Sequence, residues 1–117
     1  MSTVKIWHNP RCSKSRDSLK YLQEQKKEFE VVEYLKEIPS KEEIQNLLVK
    51  LGLNAKDIIR NGEAVYKELN LKNENNEGRL IEAMIENPKL IQRPIVVQEN
   101  KAVIGRPIEN VVELLRN

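Results

Sequence analysis

A chain of 117 residues, 39% hydrophobic and 32% charged, suits one globular domain with a real core and leaves little room for two. A net charge of +2 and an aromatic content of 4% argue against nucleic acid as a partner. No apolar run exceeds three residues, so neither a signal peptide nor a membrane span is expected, and the single cysteine, Cys12, can form no internal disulfide. A reducing cytoplasm is therefore the expected compartment, and a monomer is the default.

The charge is unevenly spread. Lys5, Arg11, Lys14, Arg16 and Lys20 stand against Asp17 alone in the first twenty residues, a local balance of +4 around Cys12. Val4, Ile6 and Trp7 predict a first strand, closed by the turn signal Asn9-Pro10. A helix is expected from Ser13 to about Lys26 with Ser15, Leu19 and Leu22 on one face, followed by a strand over residues 29–34. That is a βαβ unit with parallel strands.

About sixty residues then follow without a convincing strand, more than a crossover needs, so they predict a helical insertion over about residues 36–91. Ser40 and Glu43 match a capping box, Ile44, Leu47, Leu48 and Leu51 keep helical spacing, and Gly52 marks the stop. Asn54 is a candidate cap for a short helix ending near Arg60-Asn61-Gly62. Residues 64–69 predict a further turn or two, and Leu80, Ile81, Met84 and Ile85 a helix stopped by Pro88. Residues 95–98 and 101–104 predict a hairpin in which Asn100 takes the positive φ of the turn. Pro107 is expected at the first position of a closing helix with Ile108, Val111, Leu114 and Leu115 on one face. The order is βαβ, helical insertion, ββα, an α/β chain forming a single domain over residues 1–117.

Cys12 falls where a strand gives way to a helix, so unpaired N–H groups and the helix dipole favour a thiolate there. Arg11, Lys14, Arg16 and His8 add positive potential, and the expected pKa shift is downward. An ordinary lone cysteine is a small buried hydrophobe, but the polar neighbours Arg11, Ser13 and Lys14 speak against that here. The same helix end, with the hydroxyls of Ser13 and Ser15, suits an oxyanion. Ser15 stands where a C-x-x-C motif places its second thiol, so a resolving thiol must come from outside, and glutathione is the obvious cytosolic donor.

Arg11, Arg60, Arg93 and Arg106 all fall at predicted turns or element ends, and Arg93-Pro94 and Arg106-Pro107 flank the hairpin. Guanidinium groups suit tetrahedral oxyanions through paired donors, whereas any single arginine is more simply a solvated surface charge. His8, the only histidine, either holds positive charge beside Cys12 or makes a structural hydrogen bond at the strand end. One His and one Cys four residues apart cannot supply a metal site.

His8-Asn9-Pro10-Arg11-Cys12-Ser13-Lys14-Ser15-Arg16, the stretch from Asn87 to Val97, and Ile104-Gly105-Arg106-Pro107 closely resemble the ArsC family of glutaredoxin-coupled arsenate reductases. The likeness covers essentially the whole chain. It implies a thioredoxin-like fold with a helical insertion and a four-stranded mixed sheet. By that resemblance Cys12 is the nucleophile toward arsenate, Arg60, Arg93 and Arg106 hold the oxyanion and its adduct, and His8, Ser15, Arg16 and a cis Pro94 support them. The resemblance implies no bound cofactor. Glutathione is the co-substrate, glutaredoxin clears the mixed disulfide, and arsenite is the product.

Two other readings stay open. A glutathione-dependent thiol oxidoreductase acting on another substrate would use the same cysteine. The Spx-like transcription regulators share the fold and bind RNA polymerase without needing the arginines, although they commonly carry a C-x-x-C switch that Cys12-Ser13-Lys14-Ser15 lacks.

Overall fold

The structure, a computed structural model, describes residues 4–25 and 28–116. Two compact units divide the chain, one formed by Met1–Glu37 with Arg93–Asn117 and the other by Ile38–Gln92.

The first unit is built on a four-stranded mixed sheet of β1 (Val4–Trp7), β2 (Phe29–Val32), β3 (Ile95–Gln98) and β4 (Lys101–Ile104), in the order β2-β1-β3-β4. β1 pairs in parallel with β2 through the helix α1 (Ser13–Glu24), and the expected end of that helix near Lys26 falls outside the described residues. β2 ends at Val32, two residues short of the expected strand, because residues 34–36 form a turn in which the Lys36 and Glu37 N–H groups donate to the Glu33 carbonyl. β3 runs antiparallel to both β1 and β4.

Alternation in the central strands puts Val4, Ile6 and Val96 on one face. They form a core with Leu22 of α1 and with Val111, Leu114 and Leu115 of the closing helix α5 (Glu109–Arg116), while Leu19, Tyr21, Phe29 and Val103 pack at its edge. Ser15, Ser18 and Leu22 are the buried residues of α1.

Two details of this unit differ from expectation. The left-handed residue in the hairpin is Glu99, at φ 56°, and not Asn100. Gln98 pairs with Lys101, which makes Glu99 the first of two turn residues, where a type II′ geometry reverses φ. The closing helix starts at Glu109 and not at Pro107, whose carbonyl accepts from the Asn110 N–H in a turn leading into α5. The bonds Arg93-Pro94 and Arg106-Pro107 are both cis.

The second unit holds α2 (Lys41–Leu51), α3 (Ala64–Glu68) and α4 (Glu77–Glu86) with three 3₁₀ turns. The capping box is present at Ser40 and Glu43, and Gly52 closes α2 at φ 69° while Leu53 N–H reaches back to the Leu48 carbonyl. Asn54 leads into a 3₁₀ turn over Ala55–Ile58, shorter than the expected helix, and its N–H donates to Asp57 Oδ2 at 2.9 Å. Leu80, Ile81, Ala83 and Met84 are buried along α4, which packs on α2. An isolated antiparallel bridge joins Ile59 to Ile91. No helix among the described residues is long and apolar enough to cross a membrane.

Leu22 is fully buried against both central strands' side chains and α5. Leu22→Ala is expected to cost about 2–5 kcal/mol of unfolding free energy, measured by urea titration. A loss under about 1 kcal/mol would show that α1 is not anchored by this face.

Candidate functional site

Strand register decides which residues meet. Trp7, the last residue of β1, pairs with Ile95, the first of β3, and Ile95 pairs with Ile104, the last of β4. Segments that follow β1, precede β3 and follow β4 therefore emerge at one end of the sheet. They carry Cys12, Arg93-Pro94 and Gly105-Arg106.

The loop that delivers Cys12 is held by its own polar groups. His8 N–H donates to the Val32 carbonyl at 2.9 Å, Cys12 N–H to the Asn9 carbonyl at 3.0 Å, and Arg11 N–H to Asn9 Oδ1 at 3.0 Å. Ser15 is fully buried, and its hydroxyl accepts from Asn9 N–H at 3.3 Å, so it fastens the loop to α1. Arg16 is exposed and donates through Nη1 to the Pro10 carbonyl at 3.4 Å. Asn9, which the sequence marks only as part of the turn signal Asn9-Pro10, is buried and central to this loop.

Cys12 is the N-cap of α1, extended at φ −95° and ψ 123°. Burial of the thiol pushes its pKa up, but the Ser15 N–H, the Arg93 side chain, the Lys14 N–H and the charge of Arg106 together outweigh it and bring the value down from 9.0 to about 7. The expected downward direction is thus present, but it comes from the helix-end N–H groups with Arg93 and Arg106 and not from the charges of Arg11, Lys14, Arg16 or His8. The first turn of α1 holds no acidic side chain that would oppose the thiolate.

Arg106 carries the most direct contact. Its Nη2 donates to Cys12 Sγ at 3.0 Å while its Nε donates to the Arg93 carbonyl at 2.7 Å, so the guanidinium is fixed from two sides. The Gly105 N–H donates to the Pro94 carbonyl at 2.8 Å. A Cβ on Gly105 would come within 2.8 Å of both Pro94 Cγ and Ser18 Oγ, which explains a glycine before Arg106. Asn110, also not anticipated, donates through Nδ2 to the carbonyls of Ile104 at 3.0 Å and Arg106 at 3.4 Å and braces the same corner. Arg93 leaves a buried Nε without a hydrogen-bond partner among the described residues.

His8 does not fit the cation reading, and its buried Nδ1 has no hydrogen-bond partner among the described residues. It is 5% exposed, and desolvation lowers its pKa below 6.5 against the opposing pull of Glu33, so it is neutral at pH 7 and does not add positive charge beside Cys12. Arg60 belongs to the second unit. There its N–H donates to the Leu90 carbonyl at 2.7 Å and its Nε lies 3.7 Å from Glu63 Oε2. No group of three or more His, Cys, Asp or Glu side chains among the described residues could hold a metal ion.

Because Cys12 has a lower pKa folded than unfolded, the ionised thiol stabilises the fold above the unfolded value of 9.0, and that contribution is lost as pH falls through about 7. Iodoacetamide alkylation should rise with pH through a midpoint of about 7 and level off above it. Arg106→Ala and Asn110→Ala should both raise this midpoint, the first more than the second. An unmoved midpoint in Arg106→Ala would show that the guanidinium does not hold the thiolate.

The chain resembles known proteins over nearly its whole length. The family model described as the ArsC family matches residues 7–114. A protein of Escherichia coli (strain K12) named "Uncharacterized protein YfgD" is 51% identical over 114 residues, covering 96% of each chain. A Neisseria meningitidis protein named "Arsenate reductase" is 44% identical over 117 residues, covering 98% of this chain and all of the relative. The solved structure titled "Arsenate reductase from Vibrio cholerae" superposes with a TM-score of 0.91 at 47% identity, covering 95% of this chain and 96% of that one. With a thioredoxin-like mixed sheet, a family match spanning nearly its whole length and full-length relatives, this chain belongs to the ArsC family.

Proposed function

We propose that this protein is an arsenate reductase in which Cys12 is the nucleophile and glutathione with glutaredoxin supplies the electrons. The observation that carries the reading is the Arg106 Nη2 to Cys12 Sγ contact of 3.0 Å at the N-terminus of α1, with the thiol pKa brought down to about 7. A thiolate that is populated at neutral pH and already faces a guanidinium is equipped to attack a bound oxyanion. The names of the relatives from Neisseria meningitidis and Vibrio cholerae support the choice of arsenate.

The chemistry closes in two stages. Cys12 Sγ bonds to arsenic as an arsenate oxygen departs as water, with Arg106 and Arg93 neutralising charge on the remaining oxygens. Glutathione then reacts at this adduct, a sulfur–sulfur bond forms between Cys12 and glutathione, and the Sγ–As bonding pair stays on arsenic, which falls from the +5 to the +3 state and leaves as arsenite. Each thiol has given one electron. Glutaredoxin takes the glutathionyl group by thiol–disulfide exchange and restores Cys12. Phosphate has nearly the same shape and charge as arsenate but cannot accept electrons from thiols, so redox chemistry and not pocket shape discriminates between them. Arg60 is a further candidate for holding the oxyanion on the family resemblance alone.

Arsenate-dependent NADPH oxidation coupled through glutathione, glutaredoxin and glutathione reductase measures this activity. Native protein should turn over and Cys12→Ser should not. Arg93→Lys and Arg106→Lys keep the charge but lose the forked donors, and each should lower kcat/KM about 100- to 1,000-fold, as expected for loss of an oxyanion donor. Absence of turnover by the native protein removes arsenate as the substrate, and full activity in both lysine variants removes the arginine clamp.

A further inference from the structure

The β1–α1 loop and the turn that follows β2 border an open cavity of about 340 Å³ lined by His8, Asn9, Pro10, Arg11, Glu33, Leu35 and Lys36. That volume lies at the lower end of small-molecule sites, which span about 300–1,000 Å³. All seven residues belong to the first unit.

The charges around this cavity serve no evident purpose in the fold. The Arg11 guanidinium is exposed and makes no hydrogen bond or ion pair with a described residue; only its backbone N–H is engaged. Glu33 and Lys36 face each other at 3.9 Å with side chains 39% and 78% exposed, a long and solvated pair that contributes little to stability and is easily exchanged for other partners. The buried His8 is neutral at pH 7 and leaves the count at two cations and one anion. Leu35, 39% exposed, and Pro10 add apolar surface between them. Arg11 is joined directly to Cys12, so their Cα atoms are about 3.8 Å apart, and the cavity adjoins the loop that carries the thiol although Cys12 does not line it.

We infer that this cavity docks the thiol co-substrate, a short peptide thiol carrying two carboxylates and one ammonium as glutathione does, with Arg11 and Lys36 receiving the carboxylates and Glu33 the ammonium. The inference rests on the thiol-dependent reduction proposed above and gives that thiol a place. Its charges match the cavity one for one, and the cysteinyl sulfur sits between the two ends of the peptide, as Cys12 requires of an incoming thiol. A thiol without the flanking charges would keep only the apolar contacts with Leu35 and Pro10. Specificity for a peptide thiol over a simple one then resides in Arg11, Glu33 and Lys36.

Titration of ¹⁵N-labelled Cys12→Ser protein with S-methylglutathione tests the site without turnover, since the methylated sulfur cannot react. Saturable amide shifts should concentrate at residues 8–11 and 33–36, and S-methylcysteine should produce none at the same concentration. Lys36→Glu, an exposed change whose amide spectrum reports its own folding, should weaken binding about tenfold or more, the scale of one charge-assisted contact. Shifts that map elsewhere, equal binding of S-methylcysteine, or unchanged affinity in Lys36→Glu would each overturn the assignment. An absence of any shift, as a cavity shaped for a protein partner would give, overturns it too. Failure of arsenate turnover in the native enzyme, by contrast, leaves this binding result standing and strikes only the choice of oxyanion.

Discussion

The site depends on stabilising one negative charge, the Cys12 thiolate, where partial burial opposes it. Three sources meet that cost: N–H groups at the opening of α1, the Arg93 side chain and the Arg106 guanidinium. The first is local and follows from placing the cysteine at a helix N-cap. The other two come from more than eighty residues away and exist only because β3 and β4 run antiparallel and return the chain to the end of β1. The sheet thus converts a mildly activated helix-end cysteine into one whose partner cation is fixed in place.

Fixation matters as much as charge. A guanidinium free in solvent would spend much of its time away from the sulfur, and salt would screen it. Here Nε is tied to the Arg93 carbonyl and Nη2 to Sγ, so a planar, multi-donor group is aligned before any substrate arrives. Gly105 lets the backbone pass close to Pro94 and Ser18, and Asn110 holds the carbonyls on either side of that passage. A lysine could supply the charge but not both directions at once. The corner from Ile104 to Asn110 is therefore part of the site although only Arg106 reaches the sulfur.

Much of this was legible from residue pattern because the patterns are local. The capping box at Ser40, the αL stop at Gly52 and the helical spacing through α2 are each written within one or two turns of chain, and the structure contains all three. The two Arg-Pro pairs flanking an apolar hairpin likewise pointed to the end of the sheet where Cys12 lies. What stayed hidden depends on register and burial. Glu99 takes the left-handed conformation because of which residue pairs with Lys101, a fact that no turn propensity contains. Pro107 looks like a helix opener in isolation, but the turn into α5 delays the helix to Glu109. His8 stood equally well as a cation or a structural group until its burial was known. Asn9 and Asn110 act through backbone carbonyls and N–H groups of distant or neighbouring residues, and an asparagine in a sequence does not reveal which backbone groups it will find.

Ser15 shows how the missing second thiol shapes the chemistry. In a dithiol motif this position carries the sulfur that resolves a mixed disulfide from within. Here the side chain is fully buried, its hydroxyl accepts from Asn9 N–H, and its own N–H favours the Cys12 thiolate. The position is thus occupied in holding the loop and charging the nucleophile, and it faces inward, away from where an incoming thiol must approach. An internal resolving group is excluded twice over, by residue type and by burial. With Cys12 the only cysteine, a two-electron thiol reduction begun there needs its second thiol from outside the chain.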